Sequence, residues 1–242
     1  MEKLKRKNDM KRIILSGGGT GGHIYPAVAV AEALKRRLGD EVELLFVGAE
    51  GKMEMEKVPA LGYRIVGLPI AGLQRRLDWH NLLVPLKVLR SLRMARRVIR
   101  DFGADAVVGF GGYASAPVLW AAQHMGVPTV IQEQNSYAGV TNKILARRAR
   151  RICTAYEGME RFFPSDRITL TGNPLRGRFS KQGADRTEAL KYYGLTADLP
   201  TILVVGGSLG TRSLNEMMKQ WILDTGGKAP VQVIWQTGKY YE

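Results

Sequence analysis

A glycine-rich stretch that ends in a histidine is the part of this sequence best suited to chemistry. Residues 13–34 read IILSGGGTGGHIYPAVAVAEAL, so that GGGTGG at 17–22 separates an apolar run from His23. Glycine tolerates positive φ and lets a ligand approach the backbone, and free N–H groups at a helix N-terminus bind anions. An imidazole with an ordinary pKa of about 6.5 accepts a proton at neutral pH. The stretch therefore predicts an anion cradle beside a candidate general base.

The same stretch partly matches other glycine motifs. Gly17, Gly19 and Gly22 have the spacing of the dinucleotide fingerprint, but His23 follows the last glycine directly and Pro26 comes one turn later. The Lys-Ser/Thr ending of a Walker loop is absent. A tight strand-to-helix turn without a ligand, and a His23 that binds substrate or backbone, remain alternatives.

Two further glycine loops and one polar segment follow predicted strands. The loops are GFGGYASAP at 109–117 and GGSLG at 206–210, and the polar segment is QEQN at 132–135. In an open parallel sheet, loops at the carboxyl ends of the strands face one crevice. The set therefore favours ligands that carry diphosphates over a series of plain turns.

Short apolar runs alternate with helical periodicity along the chain, which predicts an α/β fold with a parallel sheet covered on both faces. The predicted strands are Arg12–Ser16, Val42–Val47, Ala106–Gly109, Thr129–Gln132, Arg151–Thr154, Ile168–Thr171, Thr201–Gly206 and Val231–Gln236. The predicted helices are Ile24–Arg37, Val84–Arg100, Ala116–His124, Val140–Arg147, Arg186–Tyr193 and Thr211–Leu223.

The pattern restarts after a charged, glycine- and proline-rich segment, which predicts two domains. Residues 1–11 are expected to be a basic tail, 12–172 an N-terminal Rossmann-like domain, 173–183 a linker and 184–242 a second domain. The second half is too short to close a full sheet, so we expect an incomplete C-terminal domain. About 100 further residues would be needed to finish an ordinary α/β domain.

Composition restricts the partners. The 242 residues carry a formal charge of +14 and the pI is about 10.0, which predicts an anionic partner: nucleic acid, acidic lipid or a phosphorylated substrate. The single cysteine, Cys153, provides no disulfide framework and fits a reducing cytoplasm. No apolar run approaches the roughly 20 residues of a transmembrane helix, so membrane association is expected to be peripheral. Neither a metal nor a cofactor is predicted, because no metal-ligand spacing occurs.

Leucines and arginines between residues 73 and 100 predict a membrane face. One helical stripe is expected to be core: Val84, Val88, Leu92, Ala95 and Ile99. The predicted membrane face comprises Leu73, Leu77, Trp79, Leu82, Leu83, Leu86, Lys87, Arg90, Arg93 and Arg97. A solvated arginine face is the alternative, and nucleic acid is a rival partner, although no nucleic-acid module is recognised.

A series of motifs in order resembles one family. GGTGGHIYPA, GFGGYASAP, EQN followed by GVTNK, TGNPLR, GGSLG and WQTGK together resemble the MurG family of GT-B-type glycosyltransferases. The resemblance implies two Rossmann-like domains facing a cleft, and inverting transfer of GlcNAc from UDP-GlcNAc to lipid I without a metal. Lipid I is undecaprenyl-diphosphate-MurNAc-pentapeptide, and the product is lipid II of peptidoglycan synthesis. Location at the cytoplasmic face of the bacterial plasma membrane is also implied.

The resemblance also assigns residues. His23 is the expected catalytic base. The expected UDP-GlcNAc contacts are Thr20, Gly21, Gly22, Asn135, Arg176 and Ser208. The expected contacts to the acceptor diphosphate are Gly18, Gly19, Gly111, Gly112 and Tyr113.

The chain departs from the family pattern at several positions, namely Gln132, Leu209, Thr211 and Trp235. The family's uracil-contacting segment, ribose-binding glutamate and Gln-rich donor motif are expected beyond residue 242. Two alternatives therefore stand beside the main hypothesis. One is a related lipid glycosyltransferase with another sugar or acceptor, and the other is a noncatalytic membrane-binding half that needs a separate C-terminal domain.

Overall fold

A computed structural model describes residues 10–70, 84–177, 185–207 and 209–241, with the side chains of 84–86 left out. The chain divides into two compact units, residues 1–179 and 180–242. The first unit contains the glycine-histidine stretch and the QEQN segment, and the second contains GGSLG.

The first unit is built on a seven-stranded parallel sheet with the order β3-β2-β1-β4-β5-β6-β7. The strands are β1 (Lys11–Ser16), β2 (Val42–Ala49), β3 (Ile65–Leu68), β4 (Ala106–Gly109), β5 (Thr129–Glu133), β6 (Arg151–Thr154) and β7 (Ile168–Leu170). The strand order reverses at β1, whose neighbours are β2 on one side and β4 on the other. Such a switch point opens a crevice at the carboxyl ends of the strands.

Helices cover the two faces of this sheet and bury its apolar strands. They are α1 (Gly21–Leu38), α2 (Glu54–Lys57), α3 (Val84–Phe102), α4 (Ser115–His124) and α5 (Val140–Leu145). Successive side chains of a strand point to opposite faces, and accordingly Ile14 and Leu15, both fully buried, belong to two different core clusters. A core on each face explains why the strands read as continuous apolar runs.

The second unit contains a pair of parallel strands and two helices. They are α6 (Arg186–Tyr193), β8 (Thr201–Val205), α7 (Arg212–Thr225) and β9 (Gln232–Gln236). Strand β8 carries apolar side chains that are open to solvent, among them Leu203, which is 65% exposed.

The sequence predicted this α/β architecture but missed two elements. The short helix α2 and the edge strand β3 were not expected, because four residues are too few to show a period. The other predicted elements occur with ends displaced by a few residues.

The predicted core stripe of α3 is wrong at one end. Ala95 and Ile99 are buried as expected, but Val88 is 36% exposed and Leu92 is half-buried. The reason is a surface groove of about 290 Å³, in which Val88 and Leu92 face Trp120 of α4. None of the helices that the structure describes is long and apolar enough to cross a membrane.

Candidate functional site

The loops after β1 and β4 meet at the switch point. Gly112 has a φ of +76°, and a Cβ placed on it would lie 2.6 Å from the carbonyl oxygen of Gly18. Only glycine allows this approach of two backbones. The structure therefore brings the first two glycine loops together, as the sequence predicted.

His23 lies in the first turn of α1 and faces the second loop. A Cβ on Gly111 would lie 3.2 Å from His23 Cε1, and a Cβ on Gly112 would lie 3.2 Å from His23 Cδ2. The imidazole is half-buried, and its Nδ1 lies 3.2 Å from Gln134 Oε1 of the QEQN segment. Two segments that are distant from His23 in sequence thus contact its imidazole.

The N-terminus of α1 has no side-chain cap. Thr20 is extended at the cap position, is exposed, and makes no capping hydrogen bond. The N–H of His23 donates to Thr20 O at 3.1 Å, whereas helical geometry provides no acceptor for the N–H groups of Gly21 and Gly22. These two amides and the helix dipole make the end of α1 electropositive.

A buried carboxylate supports the first loop from inside. Glu54 of α2 is 1% exposed and accepts hydrogen bonds from the N–H groups of Gly19, at 3.1 Å, and Ala49, at 3.0 Å. A Cβ on Gly18 would collide with this carboxylate. The Gly19 amide, expected to contact a diphosphate, is therefore already bonded within the protein.

A second buried carboxylate organises the segment after β5. Glu133 is 1% exposed and accepts from the backbone N–H of Asn135 at 3.1 Å and of Gly139 at 3.0 Å. The side-chain amides of Asn135, at 3.1 Å, and Asn142, at 2.9 Å, also donate to it. Asn135 is exposed at the crevice, and its amide is oriented by Glu133.

Tyr113 closes over the first loop. Its ring would lie 3.3 Å from a Cβ on Gly19, whose φ of +84° also favours glycine. Burial, and then the nearby carboxylate of Glu54, raises the pKa of the Tyr113 phenol. The phenol is protonated at neutral pH, as an ordinary tyrosine is, and can donate a hydrogen bond.

Arg176 is paired within the first unit. Its Nε and Nη2 lie 2.9 Å and 2.6 Å from Glu32 Oε1 of α1, and its side chain is 17% exposed. This hydrogen bond is the main cause that raises the pKa of Arg176. Arg176 is therefore neither a solvated linker arginine nor an unpaired guanidinium in this structure.

The GGSLG loop has its own supports in the second unit. The N–H of Gly206 donates to Gln236 Oε1 at 3.1 Å, and Thr211 Oγ1 donates to Gly206 O at 2.8 Å. Ser208, predicted to contact UDP-GlcNAc, lies outside the described residues.

The predicted membrane face is described only in part. Leu73, Leu77, Trp79, Leu82, Leu83 and the side chain of Leu86 lie outside the described residues. The remaining members are exposed on α3, namely Lys87, Arg90, Arg93 and Arg97. Leu89 of the same helix is 44% exposed, and across the groove Val140 and Ile144 of α5 are 69% and 68% exposed.

A family model described as the Glycosyltransferase family 28 N-terminal domain matches residues 13–154, which is more than half of the chain. The chain therefore belongs to glycosyltransferase family 28.

Within that family, curated relatives carry one name, UDP-N-acetylglucosamine–N-acetylmuramyl-(pentapeptide) pyrophosphoryl-undecaprenol N-acetylglucosamine transferase. The relative from Parabacteroides distasonis is 56% identical over 230 residues, covering 95% of this chain and 62% of the relative. The relative from Porphyromonas gingivalis strain ATCC 33277 is 52% identical over 241 residues, covering 98% of this chain and 62% of the relative. The chain thus spans about 62% of the length of these relatives.

Solved structures agree in fold. The crystal structure of Acinetobacter baumannii MurG matches with a TM-score of 0.68 and 29% identity, covering 95% of this chain and 61% of that one. A Neisseria meningitidis UDP-GlcNAc 2-epimerase matches with a TM-score of 0.61 at 12% identity, covering 96% and 73% of the two chains, and so shares the fold alone. The predicted resemblance to the MurG family and the GT-B-type fold class are confirmed.

Sequence reasoning missed the two buried carboxylates. Glu133 stands inside the quoted EQN motif, which was a usable signal, but no role was expected for it. Glu54 lies in GKMEMEK, whose composition resembles a solvated helix, so its contact with a loop 35 residues away gave no local signal.

Proposed function

We propose that this chain transfers GlcNAc from UDP-GlcNAc to the MurNAc of lipid I, forming lipid II, as a peripheral protein at the cytoplasmic face of the plasma membrane. Relatives whose names state this transfer are 52–56% identical over nearly the whole chain, which supports this activity over another sugar or acceptor. The observation that carries the proposal is His23 beside the uncapped start of α1, at the switch point of the sheet.

The start of α1 suits the diphosphate of UDP-GlcNAc, because the N–H groups of Gly21 and Gly22 and the dipole of an 18-residue helix meet there. The diphosphate of the acceptor is assigned to the second loop. The phenol of Tyr113 adds a neutral donor, while Gly111 and Gly112 leave the backbone of the second loop accessible. The buried Glu54 holds Gly19 in place, so we assign Gly18 and Gly19 to the shape of the loop and not to anion binding.

The reaction requires one proton acceptor. The hydroxyl oxygen of MurNAc forms a bond to the anomeric carbon of GlcNAc, while the bond from that carbon to the β-phosphate oxygen of UDP breaks. UDP leaves with the electron pair, and His23 takes the hydroxyl proton. Inversion follows from a single displacement.

The donor contacts are proposed from the family motif. Thr20, Gly21 and Gly22 lie at the start of α1, Asn135 is exposed beside Glu133, and Ser208 belongs to the GGSLG loop. Arg176 would bind the leaving diphosphate through the guanidinium N–H groups that its bond to Glu32 leaves over, or by exchanging that bond.

A release assay with matched donors and acceptors tests the function. We expect the 242-residue chain to release UDP from UDP-GlcNAc when a short-chain lipid I analogue is present, and not with UDP-glucose or with an undecaprenyl phosphate that lacks MurNAc. Equal release with these substitutes would favour a related lipid glycosyltransferase. No release with any pair, beside an active Parabacteroides relative, would contradict activity of this chain and favour a noncatalytic half.

A further inference from the structure

Two backbone carbonyls determine the orientation of the Gln134 side-chain amide, whose NH₂ group also contacts Gln132 Oε1. One end of the amide lies 2.9 Å from Phe110 O and 3.3 Å from Gln132 O. Backbone carbonyls only accept hydrogen bonds, so the NH₂ group must occupy this end. The amide oxygen then points the other way, and it lies 3.2 Å from His23 Nδ1.

This orientation determines where the imidazole carries its proton. An amide oxygen only accepts, so His23 Nδ1 must donate. In a neutral imidazole one nitrogen donates and the other accepts, and the partner of one nitrogen decides the state of the other. His23 Nε2 therefore holds the lone pair.

The packing around the ring keeps it in this pose. Gly111 and Gly112 lie against His23 with φ values of +88° and +76°, and a Cβ on either would approach a ring carbon to 3.2 Å. Phe110, which accepts from Gln134, is fully buried and anchors the same loop. The ring and its glutamine are thus held by one loop.

We propose that Gln134 is a positioning residue that holds His23 in the Nδ1–H tautomer, so that Nε2 is the atom that takes the proton of the acceptor hydroxyl. This inference rests on the proposed function for its catalytic meaning, but the tautomer itself is a property of the unliganded chain. One ordinary hydrogen bond shifts a two-state equilibrium about fivefold. Loss of the Gln134 oxygen would therefore produce a measurable mixture of the Nδ1–H and Nε2–H tautomers of His23.

The test is a ¹⁵N NMR measurement of the histidine side chains in the 242-residue chain, which has only three histidines. We expect Nδ1–H for His23 in the wild type and a shift of about fivefold toward Nε2–H in Gln134→Met, which keeps the length of the side chain. His124 is an internal reference, because its Nδ1 donates to Trp120 O at 2.8 Å and is independent of Gln134.

The matched control is Gln123→Met. Gln123 also donates to a backbone carbonyl, that of Leu145 at 2.9 Å, but does not contact His23. We expect this variant to leave the His23 tautomer unchanged. Finding the Nε2–H form of His23 in the wild type would overturn the inference, and this result does not depend on whether Gln134→Met folds. An unchanged His23 tautomer in Gln134→Met would also overturn it, provided that an unchanged His124 signal shows that the variant is folded.

Measuring transferase activity together with the tautomer tests the positioning role of Gln134 separately from the proposed function. With the tautomer as expected, we predict that Gln134→Met lowers kcat by roughly twofold, as the fraction of the Nδ1–H form falls, while KM for the acceptor stays the same. The expected tautomer in a chain that transfers no sugar would contradict the proposed function and leave the positioning contact intact. Full turnover with a wrong tautomer would contradict the positioning role alone.

Discussion

Two buried carboxylates, Glu54 and Glu133, hold the loops of the site from beneath. Each accepts hydrogen bonds from backbone N–H groups. A hydrogen bond to an ionised carboxylate is stronger than one to a neutral oxygen. The bonded backbone includes Gly19 of the first loop and Gly139 of the segment after β5, where glycine offers no side chain of its own. The carboxylates therefore help to hold these two segments in place.

Replacing Glu54 by glutamine tests this support. In Glu54→Gln one oxygen becomes an NH₂ group, so either the bond from Gly19 at 3.1 Å or the bond from Ala49 at 3.0 Å is replaced by two donors that face each other. We expect the free energy of unfolding to fall by about 1–3 kcal/mol, measured by urea denaturation. The control is Glu56→Gln, an exposed neighbour on the same helix. An equal effect of the two substitutions would contradict the role of Glu54.

Sequence reasoning predicted that the first two glycine loops come together, and the structure brings them together beside His23. The roles of His23 and of these glycines in binding and catalysis stay predictions. Glu54 and Gln134 were missed as supports, since their roles depend on contacts 35 and 111 residues away along the chain. The sequence pattern around a residue does not predict contacts between residues so far apart along the chain.

Among the elements, the loops after β1 and β4 carry the closest packing of the site. Gly112 and Gly126 form a useful pair, because both have positive φ, +76° and +74°. A Cβ on Gly112 would meet the carbonyl of Gly18 at 2.6 Å, whereas one on Gly126 would meet no atom within 4 Å.

Alanine substitutions separate backbone strain from loop contact. Both Gly112→Ala and Gly126→Ala should lose about 1–2 kcal/mol of stability from the left-handed conformation. Only Gly112→Ala should lose more than that and also weaken binding of a lipid I analogue, because the two loops must move apart. Thermal unfolding and acceptor titration measure the two effects, and identical results for both variants would contradict the contact.

The sequence predicted six of the seven strands of this sheet from their apolar runs, but neither strand β3 nor the groove beside α3. Periodicity alone placed Val88 in the core, and the helix indeed buries Ala95 and Ile99. The angle at which α3 crosses α4 decides which end of α3 packs against its neighbour. This angle is a tertiary property, and the hydrophobic period of the sequence does not predict it. The exposed apolar end of α3 was therefore assigned to the wrong environment.

At the scale of the whole molecule, the charge of +14 gathers partly on one helix. Lys87, Arg90, Arg93 and Arg97 are exposed on α3, next to the exposed Leu89. An apolar surface with a basic border suits an anionic membrane, which attracts each nearby basic residue by about 1 kcal/mol. We interpret this face as the one that brings the crevice to a lipid-linked acceptor.

Charge reversal on α3 tests the membrane face. The double variant Arg93→Glu with Arg97→Glu should weaken binding to vesicles that contain anionic lipid by roughly thirtyfold or more. Arg186→Glu with Lys191→Glu is the control, since it reverses two exposed charges of α6 and changes the net charge equally. Cosedimentation with the vesicles measures the binding of both double variants. An equal loss of binding in the two would show that only the net charge matters and would contradict a specific membrane face on α3.

Transfer of GlcNAc to a short-chain lipid I analogue, followed by mass spectrometry in wild type and His23→Ala, tests the central claim most directly. We predict that the wild-type chain adds one N-acetylhexosamine to the acceptor and that the variant does so at least about 100-fold more slowly. An acceptor that the wild type leaves unmodified, or a variant that works at the wild-type rate, would contradict the account.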